Sequence, residues 1–360
     1  MKKSICLMTM DITLKGGIER VVCNLANSLT NDFNVEIVSF FNSNNLIVYK
    51  LDSRVNVKYI QENRIFKYSS YKFWLLFSVI KNRKVLNGYN FDKIVIMYPL
   101  ISILFIIIFP KLRKCIIPSE HSEYFSQGYL LRYFRKKTYI KVNKIVTLTN
   151  SGKYNFQNDG LIVDVIPNSV TEFSSQHQWN FKQKPQKTTY CLFAGRFEPV
   201  KQVDHVLHIA NKLINDSQIH FDILGDGPEF DVITNFAKKI NLTNITFHGS
   251  ISNIYDFYNK CHILLITSIT EAFPMVVIEA MSFGCVVICY DSQIGTCEIV
   301  TNDIDGFIVP SGDIQNVYEK IQLLSMNNEV FDAMSRAAIM TSQKYRNNSI
   351  NKFWKKLIVE

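Results

Sequence analysis

The chain has no Cys-x-x-Cys pair and no Cys/His spacing of the kind that grips zinc, so a zinc module is not expected. Its eight cysteines, at 6, 23, 115, 191, 261, 285, 289 and 297, fall mostly inside apolar runs. That placement argues for buried thiols in a reducing compartment rather than a disulfide framework. Long apolar runs are missing too. The longest, Ile94–Phe109, is sixteen residues, short of the roughly 20 a spanning helix needs. Pro99 divides it into an expected strand, Ile94–Met97, and a buried helix ending near Pro110. The start, Met1-Lys2-Lys3 followed by Ser4–Met10, imitates a secretion signal, but Asp11 precedes any small-residue cleavage site, so a first buried strand is expected. There is no short repeat, low-complexity tract, P-loop or recognised nucleic-acid module. Acidic residues are scarce in one half only. Residues 1–170 hold 24 Lys/Arg against 11 Asp/Glu, whereas 171–360 hold 16 against 20. The first half is therefore expected to meet something anionic.

What is present is a repeating α/β pattern. At 360 residues the chain exceeds what one core usually supports, and two domains are expected. In the first half, Ser4–Met10, Asn34–Phe40, Lys93–Met97, Cys115–Pro118 and Lys144–Leu148 read as buried strands. Arg20–Thr30, Tyr71–Lys84, Leu100–Phe109 and Leu130–Lys141 read as the helices between them. Residues 171–189 turn to Ser, Gln, Lys and Asn and read as a linker. A second series follows, with strands Cys191–Ala194, His220–Leu224, Ile245–His248, Ile263–Ile266 and Val286–Cys289. Val203–Leu213, Phe230–Ile240, Ile254–Lys260 and Val276–Phe283 are its helices. Such alternation predicts two doubly wound parallel sheets facing a cleft, with ligands at the carboxyl ends of strands. The expected division is 1–170, the linker, 190–344, and a C-terminal helix over 345–360 that packs back on the first domain.

One stretch organises the chemistry: Thr270-Glu271-Ala272-Phe273-Pro274-Met275-Val276-Val277-Ile278-Glu279-Ala280-Met281. Pro274 suits the first position of a helix closed by Gly284, which puts Glu271 in the loop after a buried strand. Glu279 then lies about one and a half turns into that helix. A helix N-terminus welcomes phosphate, and carboxylates accept O–H donors, so phosphate on the helix end with hydroxyls on the glutamates describes a sugar nucleotide. Read alone, the stretch fits equally a solvated Glu271 and a Glu279 that complements the helix dipole. Gly195-Arg196-Phe197-Glu198-Pro199-Val200-Lys201 follows another strand, and Arg196 with Lys201 would suit a diphosphate unless both are simply solvated. Gly16-Gly17 opens the first helix, where backbone N–H groups can approach an anion, although a plain tight turn reads the same way. Gly225-Asp226-Gly227-Pro228 is half a dinucleotide fingerprint with Phe230 at the third glycine, and reads best as a turn supporting the site wall. His121, in Pro118-Ser119-Glu120-His121-Ser122-Glu123, could donate to a sugar hydroxyl or be structural.

Together, Gly16-Gly17-x-Glu19-Arg20, Gly195-Arg196 with Lys201, Gly225-Asp226-Gly227-Pro228 and Glu271-x7-Glu279 resemble, in order, glycosyltransferase family 4, retaining enzymes of the GT-B fold. The resemblance covers nearly the whole chain. It implies that Arg196 and Lys201 neutralise the donor diphosphate, that Gly16 and Gly17 donate amides to it, and that Glu279 holds the ribose hydroxyls. Glu271 would contact the transferred sugar, with the amides near Phe273, Pro274 and Met275 alongside and His121 close by. No metal or cofactor is implied, since cations and a helix end would take the charge of the leaving diphosphate. Two departures stand out. The family's usual Glu-Gly-Phe-Gly is Glu271-Ala272-Phe273-Pro274 here, which removes one amide donor, and Asn168-Ser169 replaces a common Asn-Gly.

The stretches 64–84 and 128–144 mix aromatic and basic residues in the manner of helices resting on anionic lipid, although such side chains can also cover an ordinary core. No nucleic-acid partner is expected. The reading that results is a cytoplasmic, metal-independent, retaining hexosyltransferase on the inner face of the membrane. It would move a hexose or N-acetylhexosamine from a UDP-sugar to a lipid-linked oligosaccharide in surface polysaccharide assembly. A catalytically silent sugar-nucleotide-binding partner subunit and a UDP-sugar 2-epimerase are the alternatives.

Overall fold

The computed structural model describes residues 2–61, 71–170, 188–251, 253–291 and 295–360. Most of the expected linker (171–187) and the start of the first basic-aromatic stretch (64–70) lie outside the described residues. The chain divides into two compact units, Met1–Thr171 with Asn347–Glu360, and Glu172–Arg346.

In the first unit the elements run β1 (Ser4–Thr9), α1 (Gly17–Leu29), β2 (Asn34–Ser39), β3 (Asn56–Tyr59), α2 (Tyr71–Lys81), α3 (Arg83–Asn87), β4 (Lys93–Ile96), α4 (Pro99–Ile108), β5 (Ile116–Glu120), α5 (Tyr129–Tyr139), β6 (Ile145–Thr147), α6 (Asn150–Asn158) and β7 (Val163–Val165). Their strands form one parallel sheet in the order β3-β2-β1-β4-β5-β6-β7. The Val- and Ile-rich centre is buried, as parallel strands covered on both faces require, with Cys6, Met8, Ile94 and Ile96 fully enclosed. Pro99 opens α4 at its first position, where a missing N–H costs nothing, and α2 and α5 both pack on α4. The expected helix over 71–84 divides instead into α2 and α3 at Asn82, whose Nδ2 donates to the Ser78 carbonyl and draws the last turn aside.

The second unit follows with β8 (Thr189–Ala194), α7 (Val203–Lys212), β9 (Ile219–Leu224), α8 (Phe230–Lys239), β10 (Ile245–Gly249), α9 (Tyr255–Lys260), β11 (Ile263–Ile266), α10 (Met275–Ser282), β12 (Val286–Tyr290), β13 (Gly306–Val309), α11 (Ile314–Met326) and α12 (Asn328–Gln343). Its parallel sheet runs β10-β9-β8-β11-β12-β13. Chain order diverges between β8 and β11, the switch point at which the following loops part and leave room for a ligand. The last helix, α13 (Asn347–Val359), belongs to the first unit. Its Ile350, Trp354, Leu357 and Ile358 stripe is buried, and it packs on α1 with an ion pair between Lys355 and Asp32 of 2.6 Å.

Candidate functional site

The loop after β8 is built on a support from the loop after β9. Gly225 sits at φ +129, and a Cβ there would lie 1.8 Å from the Gly195 carbonyl oxygen. A Cβ on Gly227 would lie 2.5 Å from the Phe197 carbonyl oxygen. Only glycine allows this approach, and the two loops are stitched by Phe197 N–H to the Asp226 carbonyl (3.0 Å) and Glu229 N–H to the Phe197 carbonyl (3.1 Å). The turn thus supports the loop after β8. Phe197, fully buried against Phe193 and Phe230, anchors the loop from inside. Arg196 beside it stays exposed, its Nε 3.1 Å from Glu198 Oε1.

The same loop then turns through Pro199–Lys201 and meets the loop after β11. Ile269 N–H donates to the Val200 carbonyl (2.8 Å), and the Thr267 hydroxyl to the Lys201 carbonyl (2.8 Å). These bonds set the ammonium of Lys201 2.5 Å from Glu271 Oε1, which also accepts from the Ser268 hydroxyl at 2.6 Å. Seventy positions apart in the chain, Lys201 and Glu271 are brought together at the β8/β11 switch point. The Glu271 carbonyl accepts from Gly295 N–H at 2.7 Å, and a Cβ on Gly295 would lie 2.4 Å from that oxygen. Gly295 was not singled out in the sequence, because a lone glycine far along the chain gives no sign of what it packs against.

Pro274 does not occupy the first helical position expected of it. It caps α10 in an extended conformation (φ −75, ψ 105), and the helix begins at Met275. The reason is Phe273: it is buried against the Tyr345 ring (5.7 Å), which holds the chain extended until it has turned inward. At the first turn of α10, headed by Met275, Val277 N–H donates to the Pro274 carbonyl at 3.1 Å. Glu279, on the buried side of α10, accepts from the Tyr258 hydroxyl at 3.0 Å.

In the first unit, Gly16 is the extended cap of α1. A Cβ there would lie 2.2 Å from Glu19 Oε2, so this glycine makes room for a carboxylate, whereas Gly17 has open space on its Cβ side. Glu19 is buried, its pKa raised by that burial, and accepts from the Tyr98 hydroxyl at 2.9 Å. His121 follows β5 and lines a cavity of about 220 Å³ together with Met10, Ile18, Met97, Tyr98 and Ser122. Its Nε2 lies 3.0 Å from both Ser119 Oγ and Met97 Sδ. Burial pushes its pKa down to about 4, so the ring is neutral at ordinary pH.

Among the described residues, no group of three or more His, Cys, Asp or Glu is placed to hold a metal, and the cysteines are free thiols. No helix among them is long and apolar enough to cross a membrane.

Residues 175–341 match the family model described as Glycosyl transferases group 1. The chain is 25% identical to an uncharacterized glycosyltransferase of Haemophilus influenzae over 99% of this chain and 100% of the relative. It is also 25% identical, over 100% of this chain and 99% of the relative, to a Campylobacter jejuni alpha-1,4-N-acetyl-D-galactosaminyltransferase named for an undecaprenol-diphosphate-linked GalNAc acceptor. The fold matches sucrose-phosphate synthase of Thermosynechococcus elongatus with a TM-score of 0.83, at 16% identity over 99% of this chain and 100% of that one. An Anabaena protein solved with UDP and glucose matches with a TM-score of 0.78, at 15% identity over 99% of both chains. With two parallel-sheet units and a group 1 domain in the second, the chain is a glycosyltransferase of the GT-B fold, an enzyme of the hexosyltransferase class that resembles family 4.

Proposed function

We propose that the protein transfers a hexose or N-acetylhexosamine, with retention, from a UDP-sugar to a lipid-linked oligosaccharide in surface polysaccharide assembly. The observation that carries this reading is the Lys201–Glu271 contact at the β8/β11 switch point, in one unit with Arg196, α10 and Glu279. Arg196 and Lys201 take the charge of the leaving diphosphate without a metal, aided by the amides of α10. Glu279 receives the ribose hydroxyls. Glu271, oriented by Lys201 and Ser268, holds the transferred sugar beside Phe273, Pro274 and Met275. In the first unit, Gly16 and Gly17 are assigned to an anion and His121 to a sugar hydroxyl. The acceptor hydroxyl enters on the leaving group's own face, and the departing phosphate oxygen takes its proton. The Campylobacter jejuni relative, named for an undecaprenol-linked acceptor, supports the acceptor class. The Anabaena structure holding UDP and glucose supports the donor class.

The first unit is assigned to the acceptor side, resting on an anionic membrane on the cytoplasmic face. Its α2 leaves Phe73 and Ile80 exposed, and α5 leaves Tyr129, Leu130 and Phe134 exposed, among Lys72, Lys81, Arg132, Lys136 and Lys137.

The deciding experiment measures donor turnover and UDP affinity by calorimetry, with and without lipid-linked glycan. Turnover that needs the acceptor, lost with Glu271→Gln, supports transfer. Acceptor-independent conversion of the donor points to epimerisation, and binding without turnover to a silent subunit. Arg196→Ala should weaken UDP by about tenfold or more, since one charge-assisted bond is lost; equal affinity removes Arg196 from the site.

A further inference from the structure

Segment 120–124, which carries His121, is held at both ends by a single buried guanidinium. Arg135 of α5 is 1% exposed, and its Nη1 lies 3.2 Å from Glu120 Oε2, whose side chain is equally enclosed. Its Nη2 donates to the Tyr124 carbonyl at 3.1 Å. Its Cζ lies 4.6 Å from the centroid of Tyr124 and 4.7 Å from that of Phe156, two rings that themselves pack edge to face at 5.0 Å. The other oxygen of Glu120 accepts from the Tyr139 hydroxyl one helical turn on, at 2.5 Å. Tyr124 is itself fixed, its hydroxyl donating to Asp159 Oδ2 at 2.6 Å. His121 and Ser122, between the two anchors, line the cavity of the first unit. Among the described residues that line this cavity, Lys72 is the one ionisable cation apart from His121 itself.

A guanidinium taken fully out of water is costly, and apolar residues of like volume would stabilise a helix–sheet contact as well or better. What the ion offers, and an apolar contact lacks, is direction. Its fork fixes Glu120 and the Tyr124 carbonyl in one plane, and the edge-to-face Tyr124–Phe156 pair packs against the guanidinium. From this geometry we infer that Arg135 is a positioning residue for the transfer reaction, setting His121 against the cavity through its hold on Glu120 and Tyr124. The inference rests on the proposed role of His121 at a sugar hydroxyl. It also makes α5 a single element with two duties, an outward aromatic and basic face and an inward clamp on the loop that carries His121.

The test is Arg135→Lys in the full chain, checked for folding by circular dichroism, with the His121 ring followed by NMR titration. Lysine keeps the charge and loses the fork and the plane. The expected result is a His121 midpoint that rises from about 4 toward the ordinary 6.5 as water reaches a loosened loop. Turnover should fall tenfold to about a hundredfold, the range expected of misplacement by about an ångström. Combining Arg135→Lys with His121→Ala should cost no more than His121→Ala alone, since both act through one side chain. A folded Arg135→Lys with the original midpoint overturns the inference, as does a shifted midpoint with full turnover while His121→Ala is impaired. If Arg135→Lys does not fold, Tyr124→Leu removes one of the two rings packed against the guanidinium and should move the midpoint in the same direction; an unchanged midpoint there overturns it equally. Unimpaired turnover in His121→Ala would instead refute the assigned role of His121, while the midpoint shift would still report the clamp.

Discussion

Glu271 and His121 illustrate how a neighbour decides what a side chain can do. Glu271 keeps its Oε1 on Lys201 and Ser268, so it is an oriented acceptor rather than a free base. Glu271→Gln should therefore lower kcat more than it weakens donor binding, measured as a kcat against KM split; unchanged turnover would exclude it from the chemistry. His121 is held neutral by burial, with a pKa near 4 against the usual 6.5. The sign follows from linkage. Below pH 6.5 the unfolded chain takes up a proton that the folded ring refuses, so stability declines as pH falls toward 4 and levels off beneath it. The decline attributable to this ring should approach about 3 kcal/mol, and His121→Asn should flatten it in denaturant titrations between pH 4 and 7.

At the level of elements, the loops after β8, β9 and β11 form one construction rather than three. Gly225 is its tightest point, since both its φ of +129 and its contact with the Gly195 carbonyl exclude a side chain. Gly225→Ala should cost at least about 2 kcal/mol and weaken UDP binding together with stability, read as a lower Tm and a raised Kd. A variant with full stability and weaker UDP would mean that Gly225 meets the ligand directly. The buried strands were legible because a parallel strand enclosed on both faces must be a continuous Val, Ile and Leu run, as in β11 and β12. The edge strands β3 and β7 were not, being four and three residues long with Lys58 and Asp164 among them. Helices α6, α11 and α12 were also passed over. Each starts from a side-chain cap, at Thr149, Asp313 and Asn327, and α11 carries a core-facing stripe, Ile314, Val317, Tyr318, Ile321 and Leu324, at helical spacing.

For the molecule as a whole, the basic surplus of residues 1–170 and the outward aromatics of α2 and α5 give the proposed membrane contact a measurable form. The protein should sediment with vesicles rich in anionic lipid, lose that binding as salt rises from about 0.05 to 0.5 M through screening, and bind less after Phe73→Ser with Phe134→Ser. Equal binding to neutral vesicles would refute an electrostatic contact. The chain's own letters determined which strands are buried, that helices start close to Gly17, Pro99 and Pro274, and which charged residues follow strand ends. Those features depend on local sterics and on periodicity, which are written within a few residues. Tertiary structure alone decided that Lys201 lies on Glu271, that Gly295 supports the Glu271 carbonyl, and that Arg135 turns inward from a helix whose Tyr129, Tyr133 and Phe134 face out. Each of these joins positions far apart in sequence, and the free energy that selects such pairings comes from burial and shared hydrogen bonds that exist only once the sheet has closed.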